Sequence, residues 1–310
     1  RELEAQHGSL IRGMLASRPP TTDRRRPTTD GRRPTCEPRT PNPEPRTPDP
    51  ASSPFVTLRG GVGELVRALL ERLEGRLVGG RGVAALEHNP AAERPYRLRL
   101  DDGEILDTDA VILTTPAFAA ADLVAPFRPA LAAALRQIRY VSTGTITLAY
   151  RRGAIGAPLD GFGLIIPQTE RRRINAVTIT SSKFESRAPG GSMLIRAFVG
   201  GSRNPDVVDL DDPALLALAR AELRDILGIA AAPLWSRAYR WPRGNPQYDV
   251  GHLERVAALE ALLPPGLYLA GSAYRGVGIP DCVRQGQVAA EGTLAYLRDR
   301  MSVEDESLVL

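Results

Sequence analysis

Along residues 82–114 apolar and polar positions alternate in three stretches: Gly82 to Glu87, Tyr96 to Leu100 and Ile105 to Thr114. A period of two places one side of each stretch against a core and predicts strands. Asp101-Asp102-Gly103 supplies the turn that makes a hairpin of the last two. Upstream, Phe55 to Leu58 reads as an extended entry and Gly60-Gly61-Val62-Gly63 as a turn. Leu65, Val66, Leu69, Leu70 and Leu73 then recur at helical spacing and predict a helix from Gly63 to Leu73 with one core-facing side. Pro116 to Arg139 is helical with proline breaks, whereas Tyr140 to Tyr150, Leu164 to Pro167, Ile174 to Thr180 and Ser192 to Phe198 are β-rich and predict one broad sheet. Asp212 to Leu227 is an amphipathic helix, started by aspartate and Pro213 and stopped by Gly228. The last block is a strand from Leu267 to Ala270, a glycine-rich turn from Gly271 to Gly278 and a helix from about Asp281 to Leu297. The acidic tail from Met301 is expected to fray.

One stretch has no such pattern. Residues 19–54 hold eleven of the 27 prolines and contain no Leu, Ile, Val or Phe. They cannot bury enough apolar surface to offset chain entropy, so a disordered Pro/Arg-rich insert is expected there. Before it, Leu3, Leu10, Ile11 and Met14 suggest the interior of a helix over 1–18. The chain opens on Arg1 and is expected to be the carboxyl-terminal part of something longer.

Composition narrows the class. The 310 residues are 43% hydrophobic and 25% charged, which excludes a fibrous or wholly disordered chain. Of the 40 basic residues only Lys183 is lysine, and a net charge of +4 is a weak footprint for nucleic acid, so no nucleic-acid partner is expected. Cys36 and Cys282 are too few for a disulfide framework or a structural zinc site and suggest a reducing, cytoplasmic setting. No run of 18 apolar residues exists, which excludes a spanning helix but is compatible with a peripheral membrane contact.

Two glycine-rich segments are candidates for chemistry. FVTLRGGVGELVRALLERL has the outline of a dinucleotide fingerprint, but Gly61-x-Gly63-x-x-Val66 lacks the third glycine and reads as a structural turn. The second segment, Gly266 to Leu297, is stronger. Gly271, Gly276 and Gly278 would let backbone come close to a ligand. The helix starting near Asp281 presents free N–H groups and a positive dipole end to an electron-rich group. No side-chain cluster suggests a catalytic acid, base, nucleophile or metal site. His7, His88 and His252 are scattered and read as surface or cap residues, and Cys282 as a small core residue. Arg196, Arg240 and Arg275 are candidates for bidentate carboxylate contacts.

Six stretches in order carry a resemblance: LRGGVGELVRALLERL, DAVILTTPA, DGFGLIIP, FESRAPGGSMLIRAFVGGSRNP, RWPRGNPQYDVGHLERV and LAGSAYRGVGIPDCVRQGQVAAE. Together they resemble the protoporphyrinogen/coproporphyrinogen oxidase family of FAD-dependent, monoamine-oxidase-like flavoproteins. The resemblance implies an α/β (α+β) fold, the carboxyl-terminal part of a two-domain flavoprotein with a large mixed sheet in its substrate domain. It divides the chain into a helix of the substrate or membrane-side subdomain (1–18), the insert (19–54), part of the FAD-binding domain (55–115), the substrate domain (116–240), the rest of the FAD-binding domain (241–300) and a tail (301–310).

The implied reaction is oxidation of a porphyrinogen, protoporphyrinogen IX or coproporphyrinogen III, to the porphyrin in haem biosynthesis, with FAD as electron acceptor and molecular oxygen as its reoxidant. Carried over by position, the resemblance puts Val277, Gly278 and Ile279 beside the flavin, Asp281 at the helix end facing it, and Trp241 and Val83 elsewhere along the FAD. It puts Ile165, Ile179 and Phe198 in the substrate pocket. A homodimer is compatible with it. The family's amino-terminal G-x-G-x-x-G has no match in these residues, so this portion alone is expected to bind flavin weakly. The alternatives are another flavin amine oxidase or desaturase, and a non-catalytic porphyrin-binding remnant.

Overall fold

The computed structural model describes residues 57–307 apart from 74, 76, 157, 158, 160 and 185, with backbone only for 303–307. The expected helix over 1–18, the insert over 19–54 and Phe55 lie outside the described residues. After helix α1 (Gly63–Leu70) the chain forms β1 (Val83–His88), β2 (Tyr96–Leu100) and β3 (Ile105–Thr108), an antiparallel three-stranded sheet in that order. The Asp101-Asp102-Gly103 turn closes β2 onto β3, with Gly103 at φ 89°. The stretch expected to run as one strand to Thr114 divides at Asp109-Ala110. Beyond it β4 (Val111–Leu113) leaves the hairpin and pairs in parallel with β10 (Leu267–Leu269), Val111 opposite Leu267. Helices α2 (Ala117–Val124) and α3 (Pro129–Arg136) follow, each started by proline. Their buried Ala120, Ala121, Leu131 and Leu135 share a core with Leu86, Tyr96, Val111 and Leu267.

The second core lies under a five-stranded sheet in the order β6 (Gly163–Ile165), β7 (Ala176–Ile179), β8 (Ser192–Gly200), β5 (Tyr140–Arg151), β9 (Trp235–Pro246). Every pairing in it is antiparallel. The sheet expected to be mixed is therefore antiparallel throughout, and the only parallel pair among the described strands is β4 with β10. Strand β9 was not anticipated. Pro242, Gly244 and Pro246 break its pattern, yet it is an edge strand, where missing ladder donors are tolerated. It runs without interruption across residues 240 and 241, where a domain boundary was expected.

A single helical turn, α4 (Thr180–Lys183), links β7 to the approach to β8. One face of the sheet is closed by α5 (Asp212–Leu227). Its Asp211 cap accepts the Ala214 amide at 2.8 Å, Pro213 sits in its first turn and Gly228 ends it at φ 68°. Leu215, Ala219 and Leu223 pack on Ile146, Leu148, Val177, Ile179, Ile195 and Ala197.

Helix α6 (His252–Glu260) precedes β10, and α7 (Ile279–Ser307) continues past Leu297, where the helix was expected to end, into the supposedly frayed tail. Helix α1 stops at Leu70, short of Leu73, and none of its residues is buried. Leu65, Val66, Leu69 and Leu70 are exposed, so the expected core face has no cover among the described residues. No described helix is long and apolar enough to cross a membrane.

Candidate functional site

Strand β10 ends in the glycine-rich corner. Ala270 donates to the Leu113 carbonyl at 3.1 Å, which carries the parallel pairing to the start of the turn. Gly271 and Gly276 adopt φ of 128° and 138°, a region that disfavours any side chain. The room left at Gly276 is used from within: a Cβ there would come to 2.5 Å of the Asp281 carboxyl, which folds back over the turn. The same carboxyl lies 3.1 Å from where a Gly278 Cβ would stand and is paired with Arg284 at 2.7 Å. Between the two glycines and α7 the turn presents Val277 and Ile279, 62% and 54% exposed. The amides of Val277, Gly278, Ile279 and Asp281 have no acceptor among the described residues. They are the open donors of a helix start.

Three contacts hold this turn. The Tyr248 hydroxyl donates to the Ser272 carbonyl at 2.9 Å and accepts the Gly276 amide at 2.8 Å. Gln285 of α7 accepts the Arg275 amide at 3.3 Å and donates to the Asp281 carbonyl at 3.2 Å. The Arg275 guanidinium makes a two-point ion pair with Glu260. The Tyr248 ring stacks on His252, centroids 3.8 Å apart and nearly parallel. His252 opens α6, but it is buried rather than at the surface, and its Nε2 donates to the Tyr274 carbonyl at 2.8 Å. Burial pushes the Tyr248 hydroxyl above its ordinary pKa, against the opposing pull of the Gly276 amide, so the phenol stays neutral and keeps both bonds.

On the large sheet's other face the described residues place no counterpart to α5. Register places Tyr239, Thr145, Phe198, Ala176 and Ile165 in one row across all five strands. The neighbouring row runs Arg237, Thr147, Arg196, Thr178, Gly163. Trp241 sits opposite Thr143 and Trp235 opposite Ala149, so both tryptophans share this face. Thr145 and Thr147 on the central β5 are buried, while Tyr239 and Trp241 on β9 are about half exposed and stack at 6.2 Å. Threonines therefore occupy the middle of this face, with Phe198 on one side of them and Tyr239 and the tryptophans on the other.

Of the expected site residues, Gly271, Gly276, Val277, Gly278, Ile279 and Asp281 come together at the corner. Ile165, Phe198 and Trp241 share the open face. Ile179 does not join them: it is 5% exposed and points through the sheet into the core beneath α5, because strand alternation puts it opposite Ile195. Val83 opens β1 opposite Leu100, in the separate three-stranded sheet. Arg240 bonds Asp212 and the Val208 carbonyl, and Arg275 is held by Glu260, so neither is an open carboxylate ligand. Cys282 opens toward the Gly276 carbonyl at 3.9 Å inside the first turn of α7.

The residues the sequence reading missed are Tyr248, Gln285 and the β9 side chains Trp235, Arg237 and Tyr239. A signal existed for the last three. Large side chains occupy every second position from 235 to 241, a period of two hidden behind the charges and the prolines that follow.

Trp241 stands five residues before β9's last pairing, Pro246 with Tyr140, after which Gln247 donates its amide to the Arg139 carbonyl and Tyr248 reaches the corner. The strand that carries Trp241 therefore leads, through Tyr248, to the corner.

The family model described as flavin containing amine oxidoreductase matches residues 2–294. The coproporphyrinogen III oxidase of Bacillus subtilis (strain 168) is 31% identical over 96% of this chain and 58% of its own length. That of Propionibacterium freudenreichii is 37% identical over 78% of this chain and 45% of its own. A solved protein of Exiguobacterium sp. 255-15, which carries the name protoporphyrinogen oxidase, superposes with a TM-score of 0.70 at 28% identity, covering 96% of this chain and 57% of that one. The chain thus spans about half the length of the relatives it matches. With most of its length inside the family model, the chain belongs to the flavin containing amine oxidoreductases.

Proposed function

We propose that this chain forms the substrate face and one wall of the cofactor site of an FAD-dependent, oxygen-using porphyrinogen oxidase, with coproporphyrinogen III as the substrate. The observation that carries the reading is the continuity of β9, whose Trp235, Tyr239 and Trp241 lie on one face of the large sheet, with Tyr248, which bonds the glycine corner. Relatives named coproporphyrinogen III oxidase favour that porphyrinogen over protoporphyrinogen IX.

The corner suits a flavin on its own chemistry. Val277 and Ile279 offer apolar surface to a flat ring, and the open amides at the start of α7 offer donors to its electron-rich edge. Gly271, Gly276, Gly278 and Asp281 set the shape of that turn, Trp241 closes it from the sheet, and Val83 is assigned to the adenosine end. A flavin held there would supply the electron-accepting chemistry that the six-electron oxidation of a porphyrinogen needs, with oxygen as its reoxidant. Ile165 and Phe198 lie under the macrocycle and, with Tyr239 and the two tryptophans, exclude water from the carbon that is oxidised. No side chain is needed as nucleophile. Ile179, facing the core, stiffens the sheet and is not part of the pocket. A cytoplasmic location comes with the reading.

The test is to supply the purified protein, with any sequence that flanks these 310 residues, with coproporphyrinogen III and, separately, protoporphyrinogen IX, and to follow porphyrin fluorescence with oxygen uptake while the released cofactor is identified. Porphyrin formation from coproporphyrinogen with release of FAD is expected. Flavin-loaded protein that oxidises neither tetrapyrrole would overturn the reading.

A further inference from the structure

Two arginines stand in one row of the open face, Arg196 on β8 and Arg237 on β9, with Thr147 of β5 between them. Two strand spacings separate them, roughly 10 Å. Neither has a carboxylate partner among the described residues. Arg196 donates Nε to the Thr147 hydroxyl at 3.2 Å, which fixes the guanidinium, and its terminal nitrogens have no partner among the described residues. Arg237 lies 5.6 Å over the Tyr239 ring and donates to its hydroxyl at 3.2 Å.

Arg240 provides the contrast. It is on the opposite face of β9, and its guanidinium is saturated by Asp212 and the carbonyls of Val208 and Leu210. Arg139, Arg172, Arg173 and Arg275 are likewise matched to acids. Two braced cations without an acidic partner among the described residues, flanked by an aromatic row, Phe198 to Tyr239, and an apolar row, Leu194 to Trp235, describe a seat for a broad flat ligand with anionic arms.

We propose that Arg196 and Arg237 hold carboxylates of the tetrapyrrole and select for a macrocycle carrying carboxylates on more than one side. The assignment rests on the porphyrinogen reading above and deepens it. It places the ring along the row from Ile165 to Tyr239, with its propionates reaching the arginine row.

The experiment measures binding of coproporphyrin III and of its tetramethyl ester by quenching of protein fluorescence. The proteins are the wild type, Arg196→Gln, Arg237→Gln, the double variant and Arg196→Lys, with flavin content recorded for each. Each Gln variant is expected to bind coproporphyrin about tenfold more weakly and the double variant about a hundredfold. Ester binding and flavin content should not change, and Arg196→Lys should recover part of the loss together with its salt dependence.

A double variant within about twofold of wild type on coproporphyrin would overturn the assignment and leave the porphyrinogen reading standing. An equal loss for acid and ester would also overturn it, since a packing defect ignores charge. Wild-type protein that carries flavin and binds neither porphyrin would overturn both.

Discussion

The hydroxyl of Tyr248 accepts the amide proton of Gly276 at 2.8 Å, tying the chain just past β9 to the turn that starts α7. Its own proton goes to the Ser272 carbonyl, so a single side chain spans both ends of the tight part of the corner. Replacing Tyr248 with Phe keeps the stack on His252 and removes both bonds. The expected loss is about 1–2 kcal/mol in urea unfolding. Amide exchange at residues 272–278 should accelerate more than at the sheet. Unchanged protection of the turn would show that Gln285 and Arg275 hold it without help.

The two faces of the sheet give a paired test. Ile179→Ala should cost about 2–5 kcal/mol, since it opens a cavity under α5. Ile165→Ala, at a position 82% exposed, should stay within about 0.5 kcal/mol of wild type. In the porphyrinogen reading the second variant, despite its intact stability, weakens porphyrin binding. Equal stability losses in denaturant titrations would mean that the assigned faces are wrong.

At the corner the two glycines should respond differently. Gly276→Ala must hold a side chain at φ 138° and displace the Asp281 carboxyl, and is expected to lose about 1–3 kcal/mol of stability. At Gly278, where no positive φ is needed, Val should be tolerated by the fold and should instead lower flavin affinity by filling the approach to the ring. Thermal unfolding reads the first effect and flavin titration the second. A Gly278→Val protein with unaltered flavin affinity would count against the placement of Val277, Gly278 and Ile279.

Alkaline pH should unfold the protein through its buried phenols. Burial raises Tyr274 and Tyr96 well above the ordinary tyrosine value of 10.0. The folded state therefore binds these protons more tightly than the unfolded chain. That contribution is complete below pH 10 and is lost as pH climbs from there toward the folded values. Melting temperature should fall over that interval, with two phenolate signals emerging only as the protein unfolds. Early titration of all the tyrosines in folded protein would contradict it.

How much of this was legible in the chain depended on whether local signals agreed with tertiary context. The α5 helix was plain because Asp211, Pro213 and Gly228 mark its ends and its apolar face meets a sheet. The corner was plain because glycines follow a strand and precede a helix. Helix α1 misled: its leucines are spaced for burial, but nothing described lies against them. Strand β9 was obscured by prolines that only an edge position permits, and with it went Tyr239 and Arg237. Ile179 was misplaced by resemblance alone, although counting alternation from its neighbour Val177 would have turned it toward the core. Tyr248 had no sequence signal, since its role depends on a turn 24 residues away.

The central claim is that a flavin ring lies against the turn from Gly276 to Ile279, beside the open face of the large sheet. A crystal structure of the flavin-loaded protein tests it most directly. The account predicts the ring in van der Waals contact, about 4 Å, with the Gly278 backbone and the Val277 and Ile279 side chains, with Trp241 at its margin. A ring bound away from that turn, or on the α5 side of the sheet, would contradict it.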